Sequence, residues 1–264
     1  MDKRRTALTV AGSDSGGGAG IQADLKTFHQ FGVYGMSAIT AITAQNTLGV
    51  AGVYPLPTEA VIQQMKEVLR DIGADAVKTG MLFHAEIIEA VAEEIRAFRL
   101  HKLVVDPVMV AKGGAKLLLD EAIHALKRHL LPLAEIVTPN LPEAECLTGM
   151  TIQTPEEMKE AAKKIHAMGA RHVFIKGGHL DSDDIVDLLF DGQSFHEFGH
   201  PRVHTRHTHG TGCTFSAALT AELAKGTTLL QAAERAKRFI VEAIATAPQI
   251  GGGHGPTNHW ARIE

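Results

Sequence analysis

Residues Gly210–Cys213, with the sequence Gly-Thr-Gly-Cys, have the types and spacing of an anion-binding turn. A small-residue helical pattern, Cys213–Leu223, follows directly. At the start of a helix, unpaired backbone N–H groups and the positive end of the dipole attract negative charge, such as a phosphoryl group in transfer. The same position would stabilise a thiolate, so the pattern predicts a lowered pKa for Cys213. A buried cysteine that closes a glycine turn is the alternative interpretation.

A second glycine-rich segment, Gly12–Gly20, follows the first strand-like run. It lacks the Gly-Lys-Ser/Thr ending of a Walker P-loop, and its glycine spacing does not fit a dinucleotide-binding turn. Glycines here would let a flat ligand approach the backbone closely, because no Cβ stands in the way. A flexible strand-to-helix turn is the open alternative. Asp24, one turn into the next helix pattern, is either a brace for this loop or an ordinary first-turn acid.

Three polar side chains near predicted strand ends could hold Mg²⁺, directly or through water, because this ion prefers oxygen ligands. They are Asp106, Glu143 and Asn140. Lys176 ends an apolar run, where its ammonium group could meet a nucleotide phosphate. The alternatives are an ordinary strand-ending turn at Asp106 and a lysine that reaches the surface at Lys176.

The chain also has 15 histidines, of which five cluster before the Gly210–Cys213 turn. They are His196, His200, His204, His207 and His209. The last three lie in a strand-like run, and no helical His-Glu-x-x-His or Cys/His spacing indicates a metal site. We therefore expect an exposed, incidental histidine run, and we interpret Cys146 as a packed small hydrophobic residue.

Short apolar runs alternate with amphipathic helical patterns along most of the chain. The runs predict strands at Ala7–Ala11, Ser37–Thr43, Ala76–Lys78, Leu103–Val105, Glu135–Val137 and Val173–Ile175. The patterns predict helices at Ile21–Phe31, Ala60–Ile72, Ile87–Phe98, Glu121–Leu131 and Glu156–Met168. Strands that alternate with helices predict crossover connections, and therefore an α/β fold with a mostly parallel central sheet and helices on both faces.

The pattern changes after Gly178. Ile185–Phe190 and Ser194–Phe198 flank Asp191-Gly192, which predicts a hairpin, and the helices Cys213–Leu223 and Leu229–Ala247 complete the chain. Ligands of open α/β sheets bind outside the carboxyl ends of the strands. Small or polar residues follow every predicted parallel strand, and this convergence indicates a site more strongly than any single residue does.

Composition restricts the classes of protein that the chain could be. Its 264 residues are 45% hydrophobic and 21% charged, as in ordinary globular proteins, and its net charge of -4 gives no field that would attract nucleic acid or acidic lipid. Two cysteines cannot form a disulfide framework, and no apolar run approaches the length needed to cross a bilayer. We therefore expect a soluble cytoplasmic protein without nucleic-acid or membrane partners.

Five motifs together resemble one known family. They are Gly12–Lys26, Ala44–Thr47, Val104–Val108, Thr138–Asn140 and Thr208–Cys213. They look like the hydroxymethylpyrimidine/phosphomethylpyrimidine kinases of thiamine biosynthesis, in the ribokinase-like superfamily, and the likeness covers nearly the whole chain. The resemblance implies one ribokinase-like three-layer sandwich over residues 1–264 and a homodimer. It also implies two successive phosphorylations of 4-amino-5-hydroxymethyl-2-methylpyrimidine by ATP with Mg²⁺.

Carried over position by position, the resemblance implies roles for individual residues. Gln45 would hydrogen-bond the pyrimidine, whose amino edge suits an amide. Cys213 would be the catalytic base, where the wider superfamily has an aspartate, and the backbone of residues 210–212 (Gly210, Thr211, Gly212) would cradle the phosphoryl group. The remaining assignments are Gly12, Ala19, Asp24, Met81 and Val108 on the substrate side, Lys176, Asn140 and Thr208 on the ATP side, and Asp106 and Glu143 for the metal.

Three other functions compete with this interpretation. Pyridoxine or pyridoxal kinase activity on the same fold is the nearest, because a hydroxymethyl pyridine ring has a similar shape. A non-catalytic pyrimidine-binding protein is disfavoured by the intact Gly210–Cys213 turn and its acidic and basic neighbours. A dehydrogenase is disfavoured by the glycine spacing of Gly12–Gly20. For any closing loop, the paired glycines Gly113-Gly114 are the expected hinge.

Overall fold

The computed structural model describes residues 4–109, 120–179 and 183–262. Within these ranges one sheet has nine strands in the order β3-β2-β1-β4-β5-β6-β7-β8-β9. The strands are β1 (Thr6–Asp14), β2 (Tyr34–Asn46), β3 (Gly49–Pro55), β4 (Ala76–Thr79), β5 (Leu103–Val105), β6 (Ile136–Val137), β7 (His172–Ile175), β8 (Asp184–Phe190) and β9 (Phe195–Pro201). The six strands from β2 to β7 in this order pair in parallel, whereas β3, β8 and β9 join antiparallel.

Helices connect the strands and complete the chain. They are α1 (Gly20–Gln30), α2 (Thr58–Asp71), α3 (Ala85–Ala97), α4 (Asp120–Ala125), α5 (Leu141–Thr148), α6 (Pro155–Ala167), α7 (Thr211–Lys225) and α8 (Leu229–Ala245). After α4 the chain continues through a π-helical turn, Leu126–Leu130, and a 3-10 turn, Leu131–Leu133. None of the helices in the described ranges combines the length and the apolar character needed to cross a bilayer.

The side chains of each strand alternate between two hydrophobic cores, one on each face of the sheet. In β1, Leu8 and Val10 face the core under α2, α3, α4 and α6, whereas Ala7 faces the core under α1, α7 and α8. In β5, Val104 faces the core under α1, α7 and α8, whereas its neighbours Leu103 and Val105 face the other core. The predicted three-layer α/β sandwich with a mostly parallel sheet is therefore confirmed.

Two elements were missed by the sequence analysis. The edge strand β3 (Gly49–Pro55) is largely half-exposed and carries no apolar run. The eight-residue helix α5 is too short to show a helical period, although Asn140 and Glu143 form a capping box at its start. β1 is also longer than predicted, since it continues to Asp14. The proposed hinge at Gly113-Gly114 lies outside the described residues.

Candidate active site

A cavity of about 1240 Å³ lies at the carboxyl ends of the parallel strands. It is lined by strand ends of β1, β2 and β4 and by the first residues of α5 and α7. The parallel topology therefore brings together residues that are far apart in sequence. The predicted site residues in its lining are Gly12, Ala19, Gln45, Met81, Asp106, Val108, Asn140, Glu143, Lys176, Thr208, Gly210, Thr211, Gly212 and Cys213.

The start of α7 forms one wall of this cavity. Gly210 is its N-cap, with a left-handed φ of 79°. A Cβ at this position would lie 1.7 Å from the carbonyl oxygen of Gly18, so no other residue fits without moving the loop. The glycine-rich loop and the α7 turn are thus packed backbone against backbone. Thr211 adds a hydrogen bond from its hydroxyl to the carbonyl oxygen of Thr208, at 2.7 Å.

Cys213 lies in the first turn of α7 and lines the cavity. Burial raises the pKa of its thiol to about 11, although the positive charge of Lys78 opposes this effect. The lowered pKa expected from the helix N-terminus is therefore wrong. The cost of removing a thiolate from water exceeds the combined help of the nearby lysine and the backbone, and the negative charges of Asp106 and Asp24 add to it.

A fully buried ion pair forms the floor next to Cys213. Lys78 Nζ donates to both carboxylate oxygens of Asp24, at 2.7 and 2.8 Å, and both side chains are 0% exposed. The hydroxyl of Thr9 donates to the same carboxylate at 2.6 Å. Burial by itself lowers the pKa of Lys78, but the negative charges around it, above all Asp24, raise it overall, so the lysine stays charged.

The predicted substrate contact at Asp24 is not supported by this placement. Its carboxylate is completely occupied beneath the cavity and does not line it. Lys78 does line the cavity, and no role was predicted for it from the sequence. A lysine inside the short buried strand β4 was the available signal, since a charged residue is rarely fully buried without a partner.

A second group of charges in the cavity lining lies beside the first turn of α7. Lys176 Nζ donates to Asp106 Oδ1 at 3.2 Å and lies 4.0 Å from Glu143 Oε2. Burial by itself lowers the pKa of Lys176, but the two carboxylates raise it overall. Lys176 is thus a mostly buried, ion-paired cation rather than a surface lysine. A Cβ at Gly212 would lie 3.1 Å from its ammonium, so this charge is close to the α7 turn.

Glu143 and Asn140 also cap the start of α5. The Asn140 side chain accepts from the Glu143 N–H at 2.9 Å, and the Glu143 carboxylate accepts from the Asn140 N–H at 2.8 Å. Burial raises the pKa of Glu143 to about 7, against the attraction of Lys176. Because the Asn140 oxygen already caps the helix, its direct ligation of a metal would compete with this bond.

Another part of the cavity lining combines an apolar wall with a polar network. A Cβ at Gly12 would lie 2.4 Å from Met81 Cε, so the methionine packs directly on the bare backbone. His209 Nε2 lies 2.8 Å from Asp14 Oδ2 and 3.2 Å from the Gln45 amide. Asp14 is the last residue of β1, and neither it nor His209 was assigned a role from the sequence.

The expected exposed histidine run is therefore wrong for two of its members. His207 is 7% exposed, and the His209 side chain is 12% exposed and bound to Asp14. Both are enclosed because the chain from 250 to 257 folds over this segment, with His209 N–H donating to the carbonyl of Gly255. The expectation that Cys146 is a packed hydrophobic residue is also wrong, because Cys146 is exposed on α5 at the rim of the cavity.

Comparison with known proteins places this geometry in a family. The family model described as phosphomethylpyrimidine kinase matches residues 14–258. The hydroxymethylpyrimidine/phosphomethylpyrimidine kinase of Bacillus subtilis is 58% identical over 97% of this chain and 94% of the relative. The thiamine biosynthesis bifunctional protein ThiED of Geobacter sulfurreducens is 56% identical over 99% of this chain and 53% of the relative. A solved ADP complex of Bacillus subtilis pyridoxal kinase has a TM-score of 0.92 and 47% identity, covering 98% of both chains.

These likenesses agree with each other and with the motifs. The family model spans most of the chain, and two curated relatives are more than half identical across nearly all of it. The matched residues 14–258 include most of the glycine-rich loop and the whole α7 turn. The chain belongs to the phosphomethylpyrimidine kinase family.

Proposed function

We propose that the protein phosphorylates 4-amino-5-hydroxymethyl-2-methylpyrimidine with ATP, and then phosphorylates the resulting monophosphate to the diphosphate, in thiamine biosynthesis. One observation carries the proposal. A single cavity joins an amide-bearing, apolar end at Gln45 and Met81 to a charged end at Lys176 and Asp106, with the start of α7 between them. A ring alcohol and a nucleotide triphosphate need these two environments, side by side, for direct phosphoryl transfer.

The substrate end suits a small planar ring. Gly12 and Ala19 leave the backbone accessible, Met81 and Val108 supply apolar contact, and Gln45 offers an amide to a polar ring edge. In this proposal the hydroxymethyl group points toward Cys213. The ring is then held on both sides, with its reacting oxygen aimed along the cavity.

The charged end suits the ATP phosphates. Lys176 would contact a phosphate as a point charge, Asn140 and Thr208 would line the same side, and the N–H groups of residues 210–212 would face the transferring group. The related pyridoxal kinase was solved with ADP bound, which supports ATP as the donor.

Mg²⁺ would fit the charged end of the cavity as an ion bound partly by carboxylates and partly by water and phosphate oxygens. The described residues contain no group of three or more His, Cys, Asp or Glu side chains that could hold a metal ion alone. Mg²⁺ needs only one or two carboxylates, because it keeps several waters and takes oxygens from the phosphates. Asp106 and Glu143, both within 4.0 Å of Lys176 Nζ, would hold it. Bound there, the ion would offset phosphate charge.

Cys213 would receive the proton of the substrate hydroxyl. The O–H bond breaks as an S–H bond forms on the thiolate, the oxygen attacks the γ-phosphorus, and ADP leaves with the electron pair of the broken P–O bond. Since the thiol pKa is about 11, the thiolate is a minor form at neutral pH. The fixed positive charge of Lys78 favours it, and a modest base is sufficient because positioning and charge stabilisation dominate this chemistry.

The test is ADP formation from ATP and Mg²⁺ in the presence and absence of the pyrimidine alcohol, with products identified by mass spectrometry. The proposal expects substrate-dependent ADP and the successive appearance of a monophosphate and a diphosphate. ADP formation that ignores the alcohol would rule it out, as would a product that stops at the monophosphate.

Pyridoxal kinase activity is a second candidate, because the solved relative with a TM-score of 0.92 is named a pyridoxal kinase. Competition between pyridoxal and the pyrimidine alcohol, with kcat/KM measured for each, separates the two. We expect the pyrimidine alcohol to be preferred, since Gln45 offers an amide to its amino edge. A higher kcat/KM for pyridoxal would reverse the assignment.

We further propose that residues 1–264 act as one kinase domain, located in the cytoplasm, and that two copies form a homodimer. Both cysteines are free thiols, which suits a reducing compartment. The β2–β3 hairpin exposes the large apolar side chains Ile42 (41%), Leu48 (78%) and Tyr54 (62%), which would suit a contact between copies. Light scattering should give twice the chain mass for the wild type and the chain mass for a Leu48→Asp/Tyr54→Asp variant; a monomeric wild type would remove the dimer.

A further inference from the structure

The Gln45 amide lies between two polar neighbours. Its Nε2 end is 3.2 Å from His209 Nε2, and its Oε1 end is 3.2 Å from the hydroxyl oxygen of Thr43. An amide has a donor end and an acceptor end, so each neighbour favours one orientation of the side chain. The bonds that these neighbours make elsewhere decide which orientation that is.

The first neighbour, His209 Nε2, can only donate. It lies 2.8 Å from Asp14 Oδ2, which also accepts from the backbone N–H groups of Gly18 and Ala19, at 3.0 and 2.8 Å. Burial alone would raise the pKa of Asp14, but these bonds and the histidine lower it overall, so the carboxylate is ionised. The proton of the Asp14–His209 bond is therefore on Nε2, and this nitrogen has no lone pair left for an amide N–H.

The second neighbour, the Thr43 hydroxyl, can only accept. Its single hydrogen is used in a 2.7 Å bond to the carbonyl oxygen of Ser13, which cannot donate in return. The lone pairs of this hydroxyl remain available for the Gln45 amide. Both neighbours therefore favour the same arrangement, with Oε1 toward His209 and Nε2 toward Thr43. A half-turn of the amide reaches it by exchanging the two atoms in place. The one Nε2–H of His209 is then shared, with the shorter contact to Asp14 Oδ2 and the longer one to the Gln45 oxygen.

We propose that His209, held by Asp14, and Thr43 are positioning residues that fix the orientation of the Gln45 amide and thereby select the substrate. The second lone pair of Oε1 and the second N–H of Nε2 are then available in the cavity as an adjacent acceptor and donor. This pair matches the amino group and ring nitrogen of a 4-aminopyrimidine. It mismatches a 4-oxopyrimidine, which presents an acceptor and a donor in reversed positions.

The inference rests on the proposed function, because it takes Gln45 as the contact to the ring. An amide without fixed neighbours would rotate freely by a half-turn and would hydrogen-bond the 4-amino and 4-oxo ring edges about equally. The relevant quantity is therefore a ratio, namely kcat/KM for the 4-amino alcohol divided by kcat/KM for its 4-oxo counterpart. We expect roughly 100-fold for the wild-type protein, since each of two mispaired hydrogen bonds weakens binding by roughly tenfold.

His209→Leu removes the fixed donor, and the ratio should fall to roughly tenfold or less, since one bond no longer discriminates. His209→Gln restores a donating nitrogen and should keep most of the ratio. His29→Leu, on the exposed face of α1, is the matched control and should leave the ratio unchanged. If His209 were only structural, both kcat/KM values would fall together and their ratio would stay constant, which would overturn the proposal.

Two further measurements separate the possible failures. Thermal denaturation checks that His209→Leu folds; if it does not, Thr43→Val removes the other neighbour and should lower the same ratio, and an unchanged ratio overturns the inference. If the wild type forms no ADP with the 4-amino alcohol, the proposed function fails, and the orientation is then tested by calorimetric binding of the two alcohols. Equal kcat/KM values for the two alcohols in the wild type would reject the fixed orientation of the amide but not the proposed function.

Discussion

The ion pair between Lys78 and Asp24 should be among the most costly features of this fold to break by a single substitution. Both side chains are 0% exposed, and the ammonium donates to both carboxylate oxygens. Lys78→Met keeps the length of the side chain and removes the charge. It leaves Asp24 buried with the Thr9 hydroxyl as its remaining side-chain donor among the described residues, so we expect a loss of about 3–5 kcal/mol in the free energy of unfolding.

The charge of Lys78 itself does not change across the neutral range. The folded-state pKa of Lys78 is raised above its unfolded value of roughly 10.4. The stabilisation from its charged form is therefore complete below the unfolded pKa and is lost only as pH rises through the folded pKa. Measurements at pH 7 thus include the whole contribution of the Lys78 charge. Burial raises the pKa of Asp24 against the attraction of Lys78, so the loss should become smaller at lower pH, where the unpaired Asp24 takes up a proton.

Urea denaturation followed by circular dichroism measures the loss, and a second substitution tests its cause. In Lys78→Met/Asp24→Leu no charge is left unpaired, so most of the lost stability should return, to within about 2 kcal/mol of wild type. Lys66→Met, which removes a partly exposed ion pair with Glu94, is the control and should cost no more than about 1 kcal/mol. A double variant less stable than Lys78→Met, or a single loss below about 1 kcal/mol, would refute the reasoning.

Four further outcomes are expected. Cys213→Ala should lose most of kcat, by roughly 100-fold or more, and keep substrate binding, measured by calorimetry; near-normal turnover would remove the base assignment. In the wild type, kcat/KM should rise roughly tenfold per pH unit between about pH 7 and 9, because the thiol pKa is about 11, and this rise should be absent in Cys213→Ala. Gly210→Ala should abolish activity, because its Cβ would lie 1.7 Å from a backbone oxygen, whereas Gly226→Ala, with open space, should only lower stability by about 1 kcal/mol. Asn140→Ala should lower stability by about 1 kcal/mol in urea, since it removes the cap of α5.

The sequence by itself was sufficient for the architecture and for most of the residues that line the cavity. Buried parallel strands and amphipathic helices have local patterns, so β1, β4, β5 and β7 could be found from short apolar runs. Parallel strands place their carboxyl ends at one edge, which is why the residues after each strand could be assigned to one cavity. The exposed edge strand β3 lacks such a pattern and was missed.

The tertiary structure alone decided which side chains pair and which stay charged. Asp24 meets Lys78 across 54 positions, and His209 meets Asp14 across 195. No local sequence pattern spans either of these separations along the chain. Asp24 was therefore predicted to face the substrate and His209 to be incidental. The Cys213 pKa is also a tertiary property: the helix N-terminus is local, but the burial that raises the pKa comes from packing. Residue types and spacing can therefore indicate the chemistry of a site, whereas charge states and hydrogen-bond directions depend on which groups the fold buries together.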